Sequence, residues 1–355
     1  MQKEQQQLAE LVKGKKVAFI GAGVSHKTLI EEFVGLGAHV TLCDKKNSVD
    51  DFGSYAETIR RLGIDLSLGE HYMDGFRGQD IILRTPGFEY YQKPLQDAIA
   101  AGTLVTSEVE LFFDYCPCEI VGVTGSDGKT TTTTLTYKLL ETESAKEEKG
   151  RRVFVGGNIG APLLPRLAEM RTDDYAVVEL SSFQLMTMQK ATWAAAITNI
   201  SPNHLNWHTD MEEYTAAKYR VLGAGTHRAV LNADNALSAA APVPTGAEKI
   251  VFSLEKHPAD MDGDVKIYEE DGFICMDGEK VLRIADIRHQ LVADRIHERL
   301  VFLHHRAEFQ SRQRPAHLLS VSSRSDEVQP LRCPSAHSYE TAIQNPAKTF
   351  IFMIQ

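Results

Sequence analysis

The sequence contains no run of about 18 consecutive apolar residues, the length that a membrane-spanning helix requires. Its first residues, MQKEQQQLAE, are polar and lack the apolar core of a secretion signal. We therefore expect no membrane partner and a cytoplasmic location. The 355 residues are 43% hydrophobic and 24% charged, which is typical of a globular protein with two or more domains.

Clustered basic charge and abundant cysteine are also missing. There are 38 Lys and Arg residues against 48 Asp and Glu residues, a formal net charge of −10, whereas a nucleic-acid surface needs clustered cations. We expect no nucleic-acid partner. Of the five cysteines only Cys116 and Cys118 lie close in sequence. A single C-x-C pair is a poor zinc signal, so free thiols are expected.

Glycine is absent from the last part of the chain. All 25 glycines lie at or before Gly278, although a segment of that length would ordinarily hold roughly five. Six of the 13 histidines lie between His289 and His337. Residues 288–355 therefore have a different composition from the rest.

The order of apolar segments predicts an α/β protein. From Lys15 the sequence KKVAFIGAGVSHKTLIEEFVGLGAHVTLCD reads as a strand, a glycine turn, a helix and a second strand that ends at Asp44. Further short apolar runs alternate with helical stretches, which favours parallel sheets covered by helices. We predict a Rossmann-like N-terminal domain, residues 1–116, followed by a P-loop-type ATP-binding α/β domain, residues 117–287.

The clearest chemical signal is EIVGVTGSDGKTTTTTLTYKLL, residues 119–140. A strand that enters a glycine turn and then a helix surrounds phosphate oxygens with backbone N–H groups. Lys129 is expected to reach the β and γ phosphates, and the hydroxyl of Thr130 to hold Mg²⁺. The spacing is a short variant, G-x-x-G-K-T-T, and a glycine turn with a chance lysine is the alternative. The predicted ATP-binding residues are Gly125, Ser126, Asp127, Gly128, Lys129, Thr130 and Thr131.

Two other chemistries are poorly supported. Ser181 and Ser182 lack the G-x-S-x-G surroundings of a serine hydrolase. His204 and His208 are four residues apart, but Leu205 stands where a zinc protease has Glu, and no helix signal spans the pair. A hydrolase triad and a zinc protease site are therefore rejected.

Three further segments, together with TGSDGKTT, resemble the Mur ligases. They are GGNIGAPLL (156–164), VELSSFQL (178–185) and ITNISPNHLNWHTDMEEYTAAKYRVL (197–222). GGNIG and ELSSFQL resemble in particular the members that join D-glutamate to UDP-N-acetylmuramoyl-L-alanine. The resemblance covers roughly residues 15–287.

The resemblance implies an ATP-dependent ligase of peptidoglycan precursor synthesis that works through an acyl phosphate. It assigns catalytic roles to Lys129, Glu179, His204 and Lys218. Mg²⁺ would be bound by Thr130, Glu179, His204 and Lys218, the lysine being carbamylated in the family. Alone, a histidine or a lysine would more often be a structural or surface residue.

The first domain is implied to bind the UDP part of the substrate. Gly21 and Gly23 begin a dinucleotide fingerprint, but its third glycine position is His26, which weakens a nicotinamide oxidoreductase assignment. The substrate-binding residues implied by the resemblance are Val24, Ser25, Asp44, Lys45, Thr85, Gly87 and Asn158. For Asn158, an Asx hydrogen bond that stabilises a turn is an equal alternative.

Residues 288–355 do not match the family. Its members continue with a G-x-H-N-x-x-N segment and a C-terminal domain for D-glutamate, and neither is recognisable here. Our hypothesis is a reading-frame shift near Arg288, with a divergent domain as the alternative. Because such a domain also excludes water from the acyl phosphate, we expect little ligase turnover from this chain. A catalytically silent module that binds UDP-sugar and ATP is the alternative function.

Overall fold

A computed structural model describes residues 3–146 and 150–284. The predictions for residues 288–355, and Cys333, lie outside them. The α-helices of the described residues are α1 (Lys3–Val12), α2 (Val24–Gly35), α3 (Ala56–Leu62), α4 (Lys93–Ala100), α5 (Glu108–Tyr115), α6 (Lys129–Ser144), α7 (Ser182–Leu185), α8 (Met211–Tyr219) and α9 (Ala236–Ala239). The strands are β1 (Lys16–Ile20), β2 (His39–Asp44), β3 (Asp65–Leu68), β4 (Ile81–Leu83), β5 (Leu104–Thr106), β6 (Glu119–Thr124), β7 (Val153–Gly157), β8 (Tyr175–Glu179), β9 (Ala194–Ile197), β10 (Arg228–Asn232), β11 (Glu248–Ser253), β12 (Val265–Glu270), β13 (Phe273–Met276) and β14 (Glu279–Arg283). Short 3₁₀ helices cover Val49–Tyr55, Gly69–Phe76, Leu164–Glu169 and Pro258–Asp260.

The first sheet has five parallel strands in the order β3-β2-β1-β4-β5. The chain winds outward from β1 to β3 and then continues on the other side of β1 with β4. The carboxyl ends of β1 and β4 therefore meet where the winding direction reverses, which is where open α/β sheets bind ligands. Helix α2 packs beside this point, with Phe33 contacting Phe19 of β1 at a ring separation of 5.4 Å.

The second sheet has nine strands in the order β14-β13-β12-β11-β10-β9-β6-β8-β7. Neighbouring strands from β7 to β12 are parallel, and β12, β13 and β14 form an antiparallel extension. Strand β6 lies between β8 and β9, so the winding reverses at β6. The glycine loop that follows β6 occupies the carboxyl end of this strand.

The predicted α/β class with parallel sheets is confirmed. Strands β8 and β9 are buried along their whole length, as expected for strands covered by helices on both faces. The helix that carries Lys218 begins at Met211.

The threonine-rich start of α6 is stabilised by packing. Thr132, Thr133 and Thr136 are buried, and the Thr136 hydroxyl donates to the Thr132 carbonyl at 2.7 Å. Thr130 and Thr131, at the start of the helix, are exposed. Burial against β7 and β8 therefore offsets the poor helix propensity of β-branched residues.

Hydrogen bonds join the units built on the two sheets. The buried Glu108 carboxylate at the start of α5 accepts from the backbone amides of Leu163 and Leu164, both at 2.9 Å. The Tyr91 hydroxyl donates to the carboxylate of Glu213 at 2.8 Å. Among the described residues no helix is both long and apolar enough to cross a membrane.

Asp174 connects the beginnings of β7 and β8, the two strands at one edge of the second sheet. Its carboxylate is fully buried, accepts from the Arg152 amide at 2.8 Å and the Arg171 amide at 2.8 Å, and pairs with both guanidinium groups. Burial alone would raise the pKa of Asp174, but the hydrogen bonds from Arg171 and Arg152 lower it below its ordinary value.

We predict that Asp174→Asn lowers the free energy of unfolding by roughly 2–4 kcal/mol. Because the folded-state pKa lies below the unfolded one, this contribution is present above about pH 4 and is lost as the pH falls through the folded-state pKa. Urea unfolding at pH 7 and at pH 3 measures both effects. Asp173→Asn is the control, since Asp173 is 59% exposed and should contribute less than about 1 kcal/mol. Equal effects of the two substitutions would contradict the assignment.

Candidate functional site

A glycine loop connects β6 to α6. Gly125 has φ of 153° and Gly128 has φ of 78°, conformations that residues with side chains rarely adopt. A Cβ atom on Gly125 would lie 1.9 Å from the Thr198 hydroxyl oxygen, so the approach of β9 also requires glycine there. Gly128 supplies no side-chain cap to α6. The first amides of the helix can therefore bind an anion.

Residues that follow β9 hold this loop in place. The Asp127 carbonyl accepts from the Thr198 hydroxyl at 2.7 Å and from Asn199 Nδ2 at 3.1 Å, and the Asp127 amide donates to Asn199 Oδ1 at 3.0 Å. The Ser126 hydroxyl donates to the Ser201 carbonyl and accepts from the Ser201 amide. The loop is thus shaped by strand contacts before any ligand is bound.

Two lysine ammonium groups converge on the same carbonyl oxygen. Lys129 Nζ donates to the carbonyls of Gly125 at 3.0 Å and Ser126 at 2.9 Å, and Lys218 Nζ donates to Gly125 at 2.7 Å. Lys218 is 1% exposed. Burial, and then repulsion from Lys129, lower the pKa of Lys218 to about 7. Near neutral pH much of this amine is therefore uncharged and nucleophilic.

Glu179, at the end of β8, presents an unsatisfied carboxylate oxygen. The side chain is 1% exposed, and its Oε1 accepts from Asn158 Nδ2 at 2.9 Å. Its Oε2 is buried and has no hydrogen-bond partner among the described residues. Because an unpaired buried carboxylate oxygen is unfavourable, a cation would stabilise it, and Glu179 therefore fits a metal-binding role.

His204 lies in the exposed turn after β9, with φ of 56°. Its ring packs against that of Phe183 with 4.9 Å between centroids. His208, in contrast, is buried, with Nε2 2.9 Å from the Ser182 hydroxyl. Within residues 3–146 and 150–284, no three His, Cys, Asp or Glu side chains are grouped to hold a metal ion. Glu179 and His204 are thus not part of a preformed cage of such residues.

A pocket of about 350 Å³ lies at the carboxyl edge of the first sheet. Asp44, Lys45, Thr85 and Gly87, four of the predicted substrate-binding residues, line it. Trp207 also lines it, although this residue follows β9 of the second sheet. Both units therefore contribute to this pocket.

A second pocket of about 310 Å³ lies between the two units. It contains Val24, Ser25 and Asn158, the other three predicted substrate-binding residues. Residues 84–87 contribute to both pockets. The structure therefore divides the predicted substrate residues between two neighbouring pockets.

Comparison with known proteins shows what this site is similar to. Residues 123–289 match the family described as the Mur ligase middle domain. The resemblance drawn from the sequence motifs is thereby confirmed, and the glycine loop, Glu179, His204 and Lys218 all lie within the matched residues.

Curated relatives extend the similarity into the first unit. The chain is 42% identical over 280 residues to the UDP-N-acetylmuramoylalanine--D-glutamate ligase of Acetivibrio thermocellus, which covers 77% of this chain and 57% of that protein. It is 44% identical over 247 residues to the ligase of the same name from Clostridium botulinum, which covers 69% of this chain and 52% of that protein. The chain spans about half the length of these relatives.

Solved structures of Mur ligases are also similar to the chain. The UDP-N-acetylmuramate:L-alanyl-gamma-D-glutamyl-meso-diaminopimelate ligase from Neisseria meningitides matches with a TM-score of 0.47 and 15% identity, over 75% of this chain and 86% of that chain. The UDP-N-acetylmuramate-alanine ligase of Thermotoga maritima matches with a TM-score of 0.40 and 20% identity, over 71% of this chain and 54% of that chain.

Sequence reasoning missed two pocket residues, Arg84 and Trp207. Arg84 directly follows the three buried apolar residues of β4 and is itself 1% exposed. Its position at the carboxyl end of a strand was a usable signal. Trp207 lies within NHLNWH, a segment in which only His204 and His208 were considered as site residues.

We predict that Gly125→Ala destabilises the protein far more than Gly128→Ala. The added methyl group at 125 would overlap Thr198, whereas nothing lies within 4 Å of a Cβ atom at 128. We expect a loss of about 1–2 kcal/mol for Gly128→Ala, from the positive φ alone, and at least 3 kcal/mol for Gly125→Ala. Urea unfolding measures both. Similar losses would show that contact with Thr198 does not constrain the loop.

Proposed function

We propose that the chain carries the machinery of an ATP-dependent ligase that joins D-glutamate to UDP-N-acetylmuramoyl-L-alanine in peptidoglycan precursor synthesis. The names of the curated relatives support this reaction. The observation that carries it is the glycine loop with Lys129, which follows β6 next to the end of β8 that holds the unsatisfied carboxylate of Glu179. Since ATP is the proposed co-substrate, the cytoplasm remains the expected location.

We assign the two nucleotide substrates, the UDP-sugar and ATP, to the two units. Residues 1–116 form the Rossmann-like unit for the UDP-sugar, and residues 117–287 form the P-loop-type unit for ATP. The pocket with Asp44, Lys45, Thr85 and Gly87 supports the first assignment. The strand, glycine loop and helix of β6 and α6 support the second.

ATP would bind along residues 125–131. Lys129 now donates to two loop carbonyls, and phosphate oxygens would be stronger partners because they are charged. Removing Lys129 from those carbonyls would also leave Lys218 as the remaining ammonium donor to the Gly125 carbonyl. The exposed hydroxyls of Thr130 and Thr131 lie at the start of α6, next to the expected phosphates.

Mg²⁺ would be held by Glu179, with Thr130, His204 and a modified Lys218 as the other proposed ligands. When bound, it would neutralise charge on the phosphate oxygens. The buried Oε2 of Glu179 is the atom whose environment favours this assignment. Because His204 is in an exposed turn, its side chain can reorient when a ligand binds.

Lys218 is proposed to react with CO₂ to form a carbamate. Only the uncharged amine can attack CO₂, and a pKa of about 7 makes that form available at neutral pH. The product is anionic, so the charge beside Lys129 would change from repulsive to attractive. This modification would also supply oxygen ligands, which Mg²⁺ prefers.

The proposed reaction has two steps. The substrate carboxylate attacks the γ-phosphorus of ATP, which gives an acyl phosphate and ADP. The amine of D-glutamate then attacks the acyl carbon, an amide forms, and phosphate leaves with the C–O electron pair. Lys129 and the loop amides would stabilise negative charge on the phosphates, and Asn158 would orient Glu179 through their hydrogen bond.

We predict that Lys129→Met weakens Mg²⁺-ATP binding by at least about tenfold, because it removes the cation nearest the phosphates. Calorimetric titration of the full chain measures it. The control is Lys138→Met, which lies on the same helix but is exposed and paired with Glu141, and which should leave the affinity unchanged. Unaltered ATP affinity in Lys129→Met would overturn the assignment of the loop.

We predict a carbamate on Lys218 when the protein is incubated with ¹³C-labelled bicarbonate. Its ¹³C resonance should grow as the pH rises through about 7, since deprotonation of the amine precedes reaction. The signal should vanish in Lys218→Met and remain in Lys190→Met, whose amine is on the surface. A signal that persists in Lys218→Met would refute this site.

An assay of ADP release distinguishes an active ligase from a catalytically silent binding module. ADP release that depends strictly on both D-glutamate and UDP-N-acetylmuramoyl-L-alanine would establish ligase activity of this chain. Binding of the UDP-sugar and ATP without such release would instead support the module.

A further inference from the structure

Arg84 is a buried cation that uses only part of its hydrogen-bonding capacity. It follows β4, is 1% exposed, and lines the pocket between the two units. Its Nη2 donates to the Phe183 carbonyl at 3.1 Å and to the Thr187 hydroxyl. Its Nε and Nη1 are buried and have no hydrogen-bond partner among the described residues. Two of the three guanidinium nitrogens, on different sides of the group, are therefore unpaired.

Acidic residues near Arg84 do not satisfy these nitrogens. Glu110 stabilises the charged guanidinium electrostatically, but its carboxylate accepts from the Ser107 hydroxyl at 2.7 Å and forms no hydrogen bond to Arg84. Glu108 also lines the pocket, but its Oε1 is occupied by the amides of Leu163 and Leu164. A buried guanidinium with unpaired nitrogens is unfavourable, so a ligand that supplies acceptor oxygens would be bound strongly.

The surroundings of Arg84 also favour an anion. The 12-residue helix α2 points its start into the same pocket through Val24 and Ser25, and Gly23 gives it no side-chain cap. The uncapped amides of a helix start carry partial positive charge. Two independent features, an uncapped helix and a guanidinium with unpaired N–H groups, therefore converge on one pocket.

We propose that Arg84 is a substrate-binding residue, in which an unpaired N–H group, on Nε or on Nη1, donates to an anionic group of the UDP-sugar. The group is either the diphosphate or the terminal carboxylate, both of which offer charged acceptor oxygens. This inference rests on the proposed function.

The same side chain would couple binding to the position of the second unit. Nη2 keeps its hydrogen bonds to Phe183 and Thr187. Both residues lie in the segment that follows Glu179 along the chain. An anion bound to the same guanidinium would therefore be fixed relative to the proposed metal-binding carboxylate. This gives Arg84 a role in positioning as well as in affinity.

Calorimetric titrations of the full chain with UDP-N-acetylmuramoyl-L-alanine, UDP and uridine test the proposal. Arg84→Met should bind UDP-N-acetylmuramoyl-L-alanine at least about tenfold more weakly than the wild type, and uridine equally well, because uridine carries no anion. A similar loss with UDP identifies the diphosphate as the partner. A loss confined to the full substrate identifies the carboxylate.

Thr187→Val is the matched control, because it removes one contact of Nη2 and leaves Nε and Nη1 unchanged. It should bind both nucleotides within about twofold of the wild type. Wild-type affinity of Arg84→Met for both anionic ligands would overturn the inference while leaving the proposed function intact. Failure of the wild type to bind either ligand would overturn the proposed function, and this inference with it.

Arg84→Lys keeps the test decisive if Arg84→Met does not fold. Lysine retains the charge but lacks the Nε and Nη1 donors of the guanidinium, so we expect at least about threefold weaker binding of UDP-N-acetylmuramoyl-L-alanine. Unchanged affinity in this variant would overturn the role of these donors.

Discussion

The site depends on the concentration of positive charge around the Gly125 carbonyl. A single carbonyl oxygen accepts from Lys129 and Lys218, and the second lysine is buried where water cannot screen the repulsion between them. The structure relieves that repulsion in part by making the Lys218 amine easier to deprotonate. Anionic phosphates or an anionic modification would relieve it further.

Much of the fold followed from the sequence, because buried parallel strands leave a strong local pattern. The runs at 120–123 and 175–178 are apolar and are followed by polar residues, so their carboxyl ends could be located before the structure was known. The antiparallel strands β13 and β14 were not predicted. Their exposed residues, such as Glu279 and Lys280, are too polar for an apolar run to mark the strands.

The part of the candidate site that lies in one short motif could be predicted from the sequence. The residues whose role depends on packing could not. TGSDGKTT marked the loop, yet its contacts with Asn199 and Ser201 depend on how β9 lies beside β6. The unusual burial of Lys218 could not be read from TAAKYR, since a lysine on a helix is ordinarily exposed. Arg84 was also missed, although it stands at the carboxyl end of a strand. Its importance lies in which of its nitrogens are unpaired, and that is a property of the assembled pocket.

The anchoring of the glycine loop has a consequence for synthesis on the ribosome. Asn199, Ser201, Tyr214 and Lys218 bond to the loop from 72 to 93 residues further along the chain. A nascent chain that has emerged only as far as α6 contains the whole loop sequence but none of these distant contacts. Because contacts of such long range form late in folding, the loop should reach the shape proposed for nucleotide binding only after translation has passed α8. Earlier intermediates should therefore not bind ATP.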